Sequence, residues 1–242
     1  MASRPWHSTL GSLLPAEFPA IARLFLAALS GTVLSLSFYG AHPSFYSWFC
    51  LAILLLSVLG ARARIAFFCG FLHGLIFVLT CVSWVAEVLS VHGGMSAAAG
   101  WAVLLLIATV WGCSIGLFTW MVQRLSQQGI GLALFGAPFL WISTEVLRAY
   151  LPEISFPWGL LGYPAAGNPA LVQLTTITGI YGVSFLVAVF NSFLIWILAS
   201  PSEKRRSRLA IVSAVLVILL GVQIFGPRFV PAAAAGHIAR VV

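Results

Sequence analysis

Apolar residues run almost without interruption through seven stretches of the chain, at 20–38, 45–59, 65–89, 96–122, 130–150, 171–199 and 209–225. Polar or Pro- and Gly-bearing segments separate them. Neither the alternation of a half-exposed strand nor the one-sided stripe of a surface helix is present. Each run approaches the roughly 20 residues that carry an α-helix across a bilayer core of about 30 Å, the second only just. Only helices satisfy every backbone group over such runs in lipid. The pattern therefore predicts an all-α, polytopic integral membrane helix bundle of about seven transmembrane helices.

Composition agrees. The 242 residues are 61% hydrophobic and 7% charged, and mean hydropathy is +1.07. A soluble domain carries about 25% charged residues. The net charge of +7 does not indicate nucleic acid, because the basic residues fall in the gaps between apolar runs rather than on one face. With the N-terminus cytoplasmic, Arg4, Arg23, Arg62, Arg64, Arg124, Lys204, Arg205, Arg206 and Arg208 lie inside, and only Arg148, Arg228 and Arg240 lie outside. That bias predicts a cytoplasmic N-terminal segment at 1–19, a transmembrane domain at 20–226 and an extracytoplasmic C-terminus. Pro15, Glu17 and Pro19 interrupt any signal-peptide core, so the first run reads as a retained helix. Pro227, Pro231 and Gly236 end the last helix, and "HIARVV" reads as the start of a strand without partners.

Four constellations stand out. The segment "FPWGLLGYPAAGNP" combines helix breakers with Phe156, Pro157, Trp158, Leu160, Leu161, Gly162 and Tyr163. Amphipathic rings favour the headgroup zone, so the segment is expected to lie along the outer membrane surface. Immediately before it, Trp141, Glu145 and Arg148 share one helix face at i, i+4 and i+7. Glu145 and Arg148 read either as a pair fixing the helix end or as a polar patch for a lipid headgroup. In "SWVAEVLSVHGGM", Trp84 and Glu87 lie one turn apart near the outer end of the third helix, before a turn with His92. In "LVQLTTITGIYGVSFL", Gln173 and three threonines sit near Tyr181, with Gly179 and Gly182 expected to admit a close helix neighbour. No metal-ligand spacing or cofactor motif is present, and Cys50, Cys69, Cys81 and Cys113 read as buried small hydrophobes.

Taken together, E-x-x-R on a helix, "FPWGLLGY", Q-L-x-x-x-x-G-x-Y-G-V-S-F-L, and "SWV" followed by "GGM" resemble the membrane domain of apolipoprotein N-acyltransferases. The resemblance implies an acyltransferase of the bacterial inner membrane. It moves an acyl chain from a phospholipid donor to the α-amino group of a diacylglyceryl-apolipoprotein acceptor, through a thioester on a catalytic Cys. It also implies a Glu-Lys-Cys triad in a nitrilase-like domain placed before a final membrane helix. None of that triad maps here: the only lysine, Lys204, lies in a cytoplasmic loop, and the four cysteines lie within spans. Residues 227–242 match the start of such a domain, so the chain is expected to be a fragment, inactive alone. The residues expected at the substrate surface are Trp84, Glu87, Trp141, Glu145, Arg148, Phe156, Pro157, Trp158, Gly162, Tyr163, Gln173 and Tyr181. A small transporter or lipid flippase, which calls for inverted repeats, and a non-enzymatic membrane scaffold are the alternatives.

Overall fold

The computed structural model describes residues 18–39, 43–150, 155–166 and 168–199, with isolated positions between 207 and 221. The described residues form helices α1 (Ala20–Leu36), α2 (Pro43–Val58), α3 (Ala63–Cys81), α4 (Trp84–Val91), α5 (Ala97–Gln128), α6 (Ile130–Tyr150), α7 (Gly162–Ala165) and α8 (Pro169–Leu198). Four are long and apolar enough to cross a membrane, and α1 and α2 are shorter apolar helices. Apart from isolated positions, the expected seventh span lies outside the described residues, as do the segments 1–17 and 227–242.

The six longer helices alternate in direction and close into a ring. In order of contact, α1 meets α3, α3 meets α5, α5 meets α6, α6 meets α8, α8 meets α2, and α2 returns to α1. Lipid tails are as apolar as leucine, so hydrophobic burial alone cannot hold such a ring together; close packing and internal hydrogen bonds must.

The tightest contact is the α3–α5 seam. Each helix presents a G-x-x-x-G pair, Gly70 with Gly74 and Gly112 with Gly116. A Cβ on Gly70 would sit 2.2 Å from Thr119 Oγ1 and 2.3 Å from the Ile115 carbonyl oxygen, and one on Gly74 would sit 2.9 Å from Gly112 Cα. The two backbones touch because no side chain separates them. On the other flank of α3, a Cβ on Gly31 of α1 would lie 2.6 Å from the His73 carbonyl oxygen.

Buried polar side chains tie the remaining seams. Asn191 of α8 donates through Nδ2 to the Ser47 carbonyl (3.1 Å) and accepts the Ala52 amide (2.8 Å), joining α8 to α2. At one end of the bundle, Arg23 Nη1 donates to the carbonyls of Ser57 (2.8 Å) and Leu59 (2.9 Å). Gln123 Nε2 donates to the Ala61 carbonyl there (3.0 Å). These bonds satisfy carbonyls that the end of α2 leaves open. Arg23, counted above among the cytoplasmic charges, is buried and bonded.

Four further expectations change. The third span is two helices, because α3 ends at Cys81 and Val82 leaves the helical region at φ −115°, ψ 10°. Nineteen residues already rise about 28 Å, enough to cross the core. The sixth span is bent where Gly179 takes φ 63°, ψ −175° inside α8. Gly179 and Gly182 meet no neighbouring helix among the described residues: none of these residues lies within 4 Å of a Cβ at Gly179, and one at Gly182 would meet Thr178 of its own helix. Gly179 instead supplies a left-handed backbone conformation that other residues rarely adopt. Finally, Cys50, Cys69 and Cys81 are buried as expected, but Cys113 is exposed on the outer face of α5.

Candidate functional site

At the end of the bundle opposite Arg23, the chain leaving α6 folds back onto it. Ser155 Oγ donates to the Ala149 carbonyl, and the Phe156 amide donates to the Arg148 carbonyl (3.1 Å). A tight turn over Pro157 follows, closed by the Trp158 amide on the Phe156 carbonyl (2.8 Å). Gly159 has φ 64°, and a Cβ there would strike the Phe77 ring at 2.8 Å. Only glycine satisfies both the backbone conformation and the contact.

Beyond Gly159 the segment does not lie on the surface. Leu160 and Leu161 are fully buried among the core side chains. They act as a plug that leaves Pro157, Trp158 and Tyr163 exposed and Phe156 half-buried. The rings of Trp158 and Tyr163 are exposed, whereas the aliphatic pair is taken into the bundle interior, where packing is close.

Glu145 holds the plug. Its Oε1 accepts Trp141 Nε1–H (2.9 Å) and the Leu161 amide (2.8 Å). Gly162 N–H donates to Ser184 Oγ on α8 (2.8 Å), fixing the first turn of α7. Trp141, Glu145 and Arg148 do share one face, as their spacing requires, but all three are buried, so they form no exposed headgroup patch. Arg148 places its guanidinium 4.4 Å from the centroid of the Trp111 ring, a cation–π contact of about 2 kcal/mol where water is excluded. Glu145 Oε2 and Arg148 Nε and Nη1 have no hydrogen-bond partner among the described residues.

The remaining expected residues divide by position. Trp84 and Glu87 lie on the separate helix α4, and Trp84 meets Trp158 edge-on with centroids 5.5 Å apart. Tyr181 is half-buried, its ring centroid 6.5 Å from that of Tyr150. Gln173 is exposed on α8 before the Gly179 bend. The neighbouring Thr175, Thr176 and Thr178 hydroxyls donate back to their own helix.

Three residues absent from the sequence reading complete the site. Phe77 and Trp111 stack at 6.1 Å beneath the turn. His73 sets its ring edge-on to Trp141 at 6.2 Å. Ser30 Oγ donates to the Cys50 carbonyl (2.7 Å), so toward His73 Nδ1 (2.9 Å) it must accept, which puts the imidazole proton on Nδ1. The available signal was a histidine inside a long apolar run, where an unpaired polar group is costly.

A family model described as the apolipoprotein N-acyltransferase N-terminal domain matches residues 30–193, a range that holds the seam, Glu145 and the whole "FPWGLLGY" turn. The chain belongs to the apolipoprotein N-acyltransferase family. It is 32% identical over 206 residues to the apolipoprotein N-acyltransferase of Geobacter metallireducens, covering 84% of this chain and 39% of that protein. It is 31% identical to that of Coxiella burnetii over 81% of this chain and 40% of the relative. For Pasteurella multocida the identity is 30%, over 81% of this chain and 37% of the relative. The chain thus spans about two fifths of the length of these curated apolipoprotein N-acyltransferases, the part that forms a multi-pass membrane bundle here.

Proposed function

We propose that this bundle is the substrate-presenting membrane part of an apolipoprotein N-acyltransferase. In this reading a phospholipid donates an acyl chain, and the N-terminal diacylglyceryl-cysteine of a lipoprotein accepts it. The transfer chemistry comes from residues outside these 242. The chain sits in the bacterial inner membrane with its N-terminus cytoplasmic and the FPWG turn on the far side. The distribution of Arg23, Arg62, Arg64 and Arg124 at the bundle end away from that turn supports this orientation.

The observation that carries the reading is the pinned turn. A buried carboxylate fixes the Leu161 amide, and the two leucines anchor the segment. Pro157, Trp158 and Tyr163 therefore face outward beside Trp84, with Phe156 half-buried against Trp111 at their base. Trp141, Glu145, Arg148 and Gly162 act from beneath, and Gln173 and Tyr181 flank the rim. A rigid aromatic rim at the depth of the headgroups holds two lipidated molecules near one another, which lowers the entropic barrier to transfer between them.

The cysteines fit this division of labour. Cys50, Cys69 and Cys81 are buried within the bundle, and Cys113 faces outward from α5 between Gly112 and Ser114. The one lysine lies far along the chain at 204. A base, a cation and a thiolate within hydrogen-bond reach are not found among the described residues. Incubated alone with a radiolabelled phospholipid, the chain is expected to form no hydroxylamine-sensitive acyl adduct; such an adduct would overturn the division.

The direct experiment joins this chain in frame to the remaining portion of the Geobacter metallireducens relative and measures acylation of a diacylglyceryl lipopeptide. Trp158→Ala is expected to lower the rate by about tenfold or more while thermal stability in detergent stays near that of the unsubstituted protein. An unchanged rate would reduce the rim to a membrane anchor.

A further inference from the structure

The turn end of the bundle carries an exposed carboxylate that the pinned plug does not use. Among the described residues the only carboxylates are Glu145, which is buried, and Glu87, which is exposed. Glu87 lies in an open pocket of about 490 Å³ with Ser83, Trp84, Ala86, Ser90 and Trp101. Trp84 is 40% exposed and Trp101 53%. Trp158 stands against Trp84 from the FPWG turn, which makes the pocket continuous with the aromatic rim.

No described residue neutralises Glu87. Its carboxylate makes no hydrogen bond or ion pair with any of them. The described arginines are elsewhere: Arg23, Arg62, Arg64 and Arg124 lie toward the opposite end, and Arg148 is buried over Trp111. A carboxylate that shares its pocket with two indoles repels phosphate and carboxylate groups. It attracts a cation twice over, through charge and through the negative faces of the rings. A single carboxylate makes a poor metal site, and neither indole can ligate. An alkylammonium group matches the pocket in charge and in its affinity for indole faces.

We propose that the Glu87 pocket binds the ammonium group of a lipid ligand. Two ligands of this reaction class carry one: a zwitterionic phospholipid headgroup, and the free α-amine of a lipidated peptide. The inference rests on the reading of this end as the substrate-presenting end and names the chemistry that one part of it recognises.

The test uses the whole chain in detergent micelles and follows quenching of tryptophan fluorescence by brominated lipids. In one arm, phosphatidylethanolamine is compared with phosphatidylglycerol bearing the same brominated chains. In the other, a brominated diacylglyceryl peptide with a free α-amine is compared with its N-acetylated form. The amine-bearing ligand is expected to bind about tenfold more tightly in at least one arm, and the arm identifies its source. Glu87→Gln should reduce that preference to within about twofold, Glu87→Asp should retain most of it, and raised salt should weaken it. Equal binding within both pairs, or a preference that survives Glu87→Gln, overturns the proposal. Because Glu87 is exposed, helix content and melting should be unchanged in both variants, so a lost preference reports binding rather than folding. If discrimination fails while the joined protein still acylates its lipopeptide, only this inference falls, and the substrate-presenting reading stands.

Discussion

Gly70→Ala is expected to split the bundle at its tightest seam. The added methyl would lie 2.2 Å from Thr119 Oγ1 and 2.3 Å from the Ile115 carbonyl oxygen. The threonine side chain can rotate away, but the carbonyl belongs to the α5 backbone and moves only if the helices part. Parting them loosens the neighbouring contacts of Gly74, Gly112 and Gly116 at once. Overpacking of this kind costs about 3 kcal/mol, a large share of the marginal stability of a protein this size. Thermal denaturation in detergent should show a clear loss of melting temperature. Gly131→Ala is the control, since no described residue lies within 4 Å of its added carbon. It should be neutral, or stabilising by up to ~1 kcal/mol through helix propensity. Equal melting of the two variants would mean that the seam does not hold the ring together.

The second large effect is expected at Glu145. Alanine there removes the acceptor of both the Trp141 indole N–H and the Leu161 amide, and leaves two buried donors unpaired. Each costs about 1–3 kcal/mol, so Glu145→Ala should destabilise by roughly 2–6 kcal/mol and release the plug. Glu145→Gln keeps an oxygen at the Oε1 position and should recover most of the loss. Protease cleavage within residues 155–162, slow in the parent and in the glutamine variant, should become fast in the alanine variant. If alanine and glutamine behave alike, the carboxylate acts through its charge and not as an acceptor for the plug.

Part of this architecture was legible in the residues. Uninterrupted apolar runs located the membrane helices, and the i, i+4, i+7 spacing put Trp141, Glu145 and Arg148 on one face, where the structure has them. Other parts were not. The break after Cys81 falls inside a stretch that stays apolar throughout, so hydrophobicity carries no sign of it. Arg23 counts as an ordinary anchoring charge until the carbonyls of Ser57 and Leu59 are placed beside it. Glycines are common in membrane helices, and nothing local distinguishes Gly70, which touches another backbone, from Gly179, which bends its own. Leu160 and Leu161 look like surface residues in a loop because what holds the segment inside comes from far along the chain: Glu145 of α6 accepts the Leu161 amide, Phe77 of α3 backs Gly159, and α7 packs on α2 and α8.

One indole joins the two largest effects. Trp141 meets His73 of α3 at 6.2 Å and Phe118 of α5 at 5.2 Å, and it also donates to Glu145. The helix seam and the anchored turn therefore share a hinge-pin, and damage to one is felt at the other. Gly70→Ala and Glu145→Ala combined should depart from additivity by about 0.5–3 kcal/mol. A lipid that tightens the turn should, by the same route, stiffen the membrane interior well below it.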